Sequence, residues 1–228
     1  MNETGKTRRG LGKTLLSDWP LILIILCCFI AGAVLYSHMP ERVPSHWNFK
    51  GEVDRYTSRF GGAFSMPLVT TGIYIMLLVL PLIDPRRENY QKFIGAYRVM
   101  KFILVVFMAF IYLVTMLSTF GYNVPVGVVT MAGVSLLFIV LGNYMGQIRH
   151  NYFVGIKTPW TLANEQVWQK THRLGGKLWV AAGLISLVAS LIGGITGLII
   201  MGVSLGIATV IPIVYSYLEF RRETNNSG

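Results

Sequence analysis

Six apolar runs, at residues 20–36, 66–83, 102–120, 124–141, 178–192 and 195–217, hold no Asp, Glu, Lys or Arg in their interiors. A helix needs about 20 mostly apolar residues to cross the hydrocarbon core. In lipid every backbone N–H and C=O must find a partner within the protein, and a helix provides this locally. The fifth run is short and reaches spanning length only by taking in Gly193 and Gly194. The expected fold is therefore all-α, a polytopic membrane helix bundle of about six transmembrane helices. Composition agrees: 53% of the residues are hydrophobic and 13% charged, where a soluble domain carries about a quarter charged residues.

Orientation follows from the lysines and arginines. Sixteen of the 20 fall in segments that share one side of a six-span chain. Lys6, Arg8, Arg9 and Lys13 lie in the N-terminal tail, and Arg86, Arg87, Lys92, Arg98 and Lys101 between spans two and three. Arg149, Lys157, Lys170, Arg173 and Lys177 lie between spans four and five, with Arg221 and Arg222 in the C-terminal tail. Only Arg42, Lys50, Arg55 and Arg59 lie on the opposite side. The positive-inside rule then puts both termini in the cytoplasm, N-in and C-in. This placement also accounts for the net charge of +10 without nucleic acid, because no basic stretch interleaved with aromatics sits on a soluble domain. The basic start, apolar run and Ala31-Gly32-Ala33 resemble a secretory signal, but the run continues through Val34, Leu35 and Tyr36, as a retained span would.

Catalytic and cofactor motifs are absent. There is no H-E-x-x-H, P-loop or G-x-S-x-G, and the adjacent Cys27 and Cys28 point in different directions on a helix, so they suit neither a disulfide nor a metal site. No catalytic residue, metal or cofactor is expected. The spans lack charged groups, so function is expected in two polar segments. The outer one, residues 37–56, has an extended stretch at 43–49 and turn formers Asn48 and Gly51. Trp47, Phe49 and Tyr56 would form an aromatic patch there. The inner one, residues 142–177, carries Asn164 as a helix N-cap followed by Glu165. Trp168 and His172 share a helix face, and Gly175-Gly176 would end a short amphipathic helix lying along the membrane surface. Small residues recur at Gly193, Gly197, Gly202 and Gly206, a spacing that suits close packing of helices.

Two stretches resemble known families. Gly142-Asn143-Tyr144, the run Asn151-Tyr152-Phe153-Val154-Gly155-Ile156-Lys157-Thr158-Pro159-Trp160-Thr161, then Trp168 and Thr171-His172-Arg173-Leu174-Gly175-Gly176 resemble the SdpI family of bacterial membrane immunity proteins. Met39-Pro40, Val43-Pro44-Ser45-His46-Trp47-Asn48 and Gly51-Glu52-Val53-Asp54-Arg55-Tyr56 resemble the DUF1648 domain that often precedes it. At Lys157 the family often has Arg; lysine keeps the charge and loses the bidentate fork.

The resemblance divides the chain into a basic tail (1–19), a DUF1648-like region (20–83), a basic loop (84–101), an SdpI-like region (102–217) and a tail (218–228). It implies immunity to a secreted toxin peptide, with a possible second role as a receptor that sequesters an ArsR-type repressor at the membrane. The lipid bilayer is the remaining partner, and no direct nucleic-acid contact is implied. Pro44, His46, Trp47, Asn48, Gly51 and Asp54 would face the toxin. Asn143, Tyr144, Asn151, Gly155, Lys157, Thr158, Pro159, Trp160, Thr161, Trp168, Thr171, His172, Gly175 and Gly176 would form the cytoplasmic face. The alternatives are a small transporter, or a membrane enzyme using His172 and Glu165.

Overall fold

The computed structural model describes residues 16–226, so the tail lysines and arginines at positions 6–13 lie outside the described residues. Among the described residues, six helices are long and apolar enough to cross a membrane. They are α1 (Trp19–Leu35), α2 (Arg59–Ile83), α3 (Ile94–Thr119), α4 (Val126–Met145), α6 (Glu165–Ile192) and α7 (Gly194–Asn226), while α5 (Pro159–Ala163) is a single short turn. Their outward faces carry large apolar side chains, such as Ile30, Val188, Leu191 and Ile199. A belt of that extent needs lipid rather than water as its solvent. The chain is a multi-pass membrane protein.

Between α1 and α2 the chain forms an antiparallel hairpin, β1 (Arg42–Trp47) with β2 (Val53–Ser58), pairing Arg42 with Ser58 and Trp47 with Val53. Asn48 closes the turn through its side-chain oxygen, which accepts from the N–H groups of Lys50 at 2.8 Å and Glu52 at 3.1 Å. The hairpin is anchored by fully buried Val43, which packs with Met39 against Ala63, Tyr112 and Met116 of α2 and α3. Ser58 then caps α2 by accepting from Gly61 N–H.

The helices form two groups. α1, α2 and α3 pack on one another, α6 packs along both α4 and α7, and α3 meets α4 between the groups. The α4–α6 contact depends on glycines: a Cβ at Gly176 would lie 2.6 Å from the Gly142 carbonyl oxygen, and one at Gly142 would lie 2.9 Å from that of Gly176. This corrects the reading of Gly175-Gly176 as a stop. α6 runs unbroken from Glu165 to Ile192, so the expected surface helix is instead the first half of a span. The glycines bring two helix backbones together.

Two further expectations change, and α2 carries an unusual feature. The second apolar run starts at Met66, which would put Pro67 in a first turn, but α2 begins at Arg59 and contains both Pro67 and Pro81. Each proline lacks an N–H and so frees the carbonyl four residues earlier. Tyr112 of α3 donates to the freed Ala63 oxygen at 2.9 Å, and Tyr97 to the freed Leu77 oxygen at 2.6 Å. Arg98 and Lys101, read as loop residues, are helical because α3 starts at Ile94. Lys101 is buried and forms an ion pair with buried Asp18, which Tyr74 also contacts, so charge does reach the bundle interior at the end of α1.

Candidate functional site

Residues 146–158, which carry Asn151, Gly155, Lys157 and Thr158 of the inner signature, fold into a hub at the end of the bundle opposite the hairpin. Asn151, fully buried, organises it. Its amide donates to the carbonyls of Arg149 and Val154, while its oxygen accepts from the N–H groups of Phe153 at 2.9 Å and Val154 at 2.7 Å. A buried amide with both its donors and its acceptor engaged fixes one loop conformation. Gly155 follows at φ +116°, a region that L side chains rarely adopt.

Fully buried His172 sits directly against Gly155. Its Nδ1–H donates to the Trp168 carbonyl at 2.8 Å, and its Nε2 accepts from Ile156 N–H at 2.9 Å. These partners require a neutral ring with the proton on Nδ1, because a proton on Nε2 would face the Ile156 N–H. Trp168 stacks on His172 at 4.1 Å and donates its indole N–H to the Ile148 carbonyl at 2.9 Å. The aromatic column ends at His150, 5.1 Å from Trp168, whose Nε2 lies 3.1 Å from the Leu162 carbonyl.

The short helix α5 is fixed by a reciprocal cap: Thr158 Oγ1 accepts from Thr161 N–H, and Thr161 Oγ1 accepts from Thr158 N–H. Thr158 also meets Ser216 of α7 at 3.0 Å, and Trp160 packs on Tyr217 at 5.0 Å. Asn164 caps α6 as expected, accepting from Gln166 and Val167 N–H. Of the other signature residues, Asn143, Lys157 and Pro159 are exposed and Tyr144 is half-buried against the hub core. Thr171 is fully buried. Gly175 packs against Ile156.

Sequence reasoning missed the second half of the hub, which comes from the segment after α2. Buried Asp84 accepts from the Arg86 N–H at 2.7 Å, the Tyr152 N–H at 3.0 Å and the Tyr90 hydroxyl at 3.2 Å. Asn89 donates to the His150 carbonyl at 2.8 Å, and the Arg86 guanidinium lies 4.7 Å from the Tyr152 ring centroid. A carboxylate at a helix C-terminus opposes the macrodipole, and three donors compensate for it. The hub thus ties the loop after α2 to the signature.

Burial pushes the His150 imidazole below its ordinary value of 6.5, and the Arg86 charge acts in the same direction. A depressed histidine contributes stability that is complete above the unfolded value and is lost as pH falls through the folded one. The melting temperature in detergent is therefore expected to fall between about pH 8 and about pH 5, and to fall less in His150→Gln. Identical acid sensitivity in the two proteins would contradict this assignment.

At the opposite end a cleft of about 660 Å³ opens between the hairpin and α2, α3, α4 and α7. Pro44, His46, Trp47, Asn48 and Gly51 line it. Asp54 does not; it holds His46 Nδ1 at 2.5 Å. Met66, Val114, Met131 and Leu198 supply apolar walls that sequence reasoning did not single out, since they look like ordinary span residues.

The chain is thus a multi-pass membrane bundle with a cleft at one end and a hydrogen-bonded hub at the other. Residues 147–216 match the SdpI/YfhL protein family and residues 23–71 match a domain of unknown function, DUF1648, so the two matches follow one another along the chain. It is similar to the protein "Immunity protein SdpI" of Bacillus subtilis (strain 168), with 27% identity over 201 residues, covering 88% of this chain and 94% of that protein. No solved structure matches it.

Proposed function

We propose that this protein is a bacterial cell-membrane immunity protein that protects its host from a secreted antimicrobial peptide met at the hairpin end. The observation that carries this reading is the cleft beneath the hairpin, lined by five of the six residues expected to face a toxin. The charge distribution supports the orientation: only four of the 20 lysines and arginines lie in the hairpin segment, and the positive-inside rule favours the basic-poor end as the outer one. The similarity to the Bacillus subtilis immunity protein supports the activity.

At the cytoplasmic end, the hub presents exposed Lys157, Arg173 and Lys177 beside a rigid aromatic core, a surface suited to recruiting a repressor of the ArsR type. His172, the base an enzyme would need, has both nitrogens engaged by backbone groups and acts here as a structural pin. Expression in a cell killed by such peptides is expected to raise the lethal concentration of at least one member of a panel by about tenfold, corresponding to about 1.4 kcal/mol of sequestration. Unchanged killing across the panel would sink the reading.

A further inference from the structure

We propose that the cleft itself is the peptide-binding site and that it selects an apolar segment without positive charge; this rests on the immunity reading above. The first observation is depth. Ile111 lines the cleft and lies eight residues before the end of α3 at Thr119, which is about 12 Å at the helical rise. The cleft therefore reaches about two turns into the zone of the spans, beyond the exposed hairpin face.

The second observation is its chemistry. Met66, Val114, Met131 and Leu198 form apolar walls. Between them lie Ser65, Asn123 and Thr130, whose side chains make no hydrogen bond with other described residues. Apolar walls interrupted by unengaged hydroxyl and amide groups match a peptide, whose side chains are apolar and whose backbone is rich in donors and acceptors. An acyl chain would use the walls and leave those polar groups unmatched.

The third observation is charge. No Asp or Glu is among the described residues lining the cleft, and Lys50 is its one lysine or arginine. The two acids of the hairpin, Glu52 and Asp54, lie outside the lining and are both engaged: Asn48 donates to Glu52 at 3.1 Å and Asp54 is held by His46. A lysine or arginine brought below the hairpin to the level of Ile111 would meet no carboxylate in the described lining, and an unpaired buried cation is expensive at this depth. A neutral or anionic segment has no such penalty, and a terminal carboxylate could meet Lys50 at the rim.

The test is direct binding to the full chain in nanodiscs of phosphatidylcholine and phosphatidylglycerol. The probe is a Leu/Ala/Ser peptide with a free carboxylate and a neutral fluorophore, compared with the same peptide bearing lysines. Expected are saturable binding above protein-free nanodiscs, binding of the lysine peptide weaker by about tenfold, and a loss of about tenfold in Thr130→Trp and Ser65→Trp but not in Val188→Trp, which faces away from the cleft. Ser65 is exposed, so its replacement fills the cleft without disturbing a packed side chain. Equal binding of both peptides, indifference to the two cleft tryptophans, absence of saturable binding, or competition by phosphatidylglycerol alone would each overturn the assignment. Survival that persists when the cleft is filled would remove the cleft and leave immunity standing, whereas binding without survival would do the reverse.

Discussion

Gly155→Ala is expected to destabilise the protein by more than about 3 kcal/mol, the combined cost of forcing a side chain into an unfavourable backbone region and overpacking a closed site. The added Cβ would lie 2.2 Å from His172 Nε2, on a ring held by hydrogen bonds at both nitrogens. The ring cannot retreat without releasing the Ile156 N–H, and Trp168 stacks on it. Thermal unfolding in detergent should show a large drop in midpoint, partly restored in Gly155→Ala/His172→Ala, where the obstructing ring is gone. A midpoint unchanged from the natural chain would show that the loop can shift and that the hub is not rigid.

The second large effect is expected where the start of α1 meets α3. Lys101→Met leaves Asp18 buried without its cation, a loss of about 3–5 kcal/mol for a broken buried pair. Adding Asp18→Asn should recover most of it, because an amide and a thioether carry no uncompensated charge there. Non-additivity in this double-mutant cycle separates the electrostatic effect from lost packing. If Lys101→Met unfolds like the unmodified protein, the pair is not holding α1 to α3.

The spans were legible because lipid imposes a simple rule on composition, and the outer turn because Asn48 and Gly51 mark it, but the second strand Val53–Ser58 that makes a hairpin of it was not read. Asn164 was legible because a cap acts within three residues. The continuous helix through Gly175-Gly176 was not. Locally a glycine pair signals termination, and only the nearness of Gly142 on another helix makes those glycines a packing surface. Asp84 and Tyr90 were missed for a related reason. They meet Tyr152 and Asn151 across separations of 68 and 61 residues, and no local pattern announces such a meeting. Lys101 was counted for orientation because it borders an apolar run, and its buried partner lies 83 residues away. The cleft walls look like any lipid-facing methionine or valine until the hairpin is folded over them.

The two prolines of α2 have a consequence for how such a chain can change over generations. Tyr112 and Tyr97 serve carbonyls that only Pro67 and Pro81 set free. If alanine replaced Pro67, the Ala63 oxygen would regain a partner within its own helix and the Tyr112 hydroxyl would become dispensable. While the proline stays, phenylalanine at 112 leaves a buried acceptor unmatched. Each tyrosine is thus tied to its proline: losing the tyrosine costs nothing at that carbonyl only once the proline has gone.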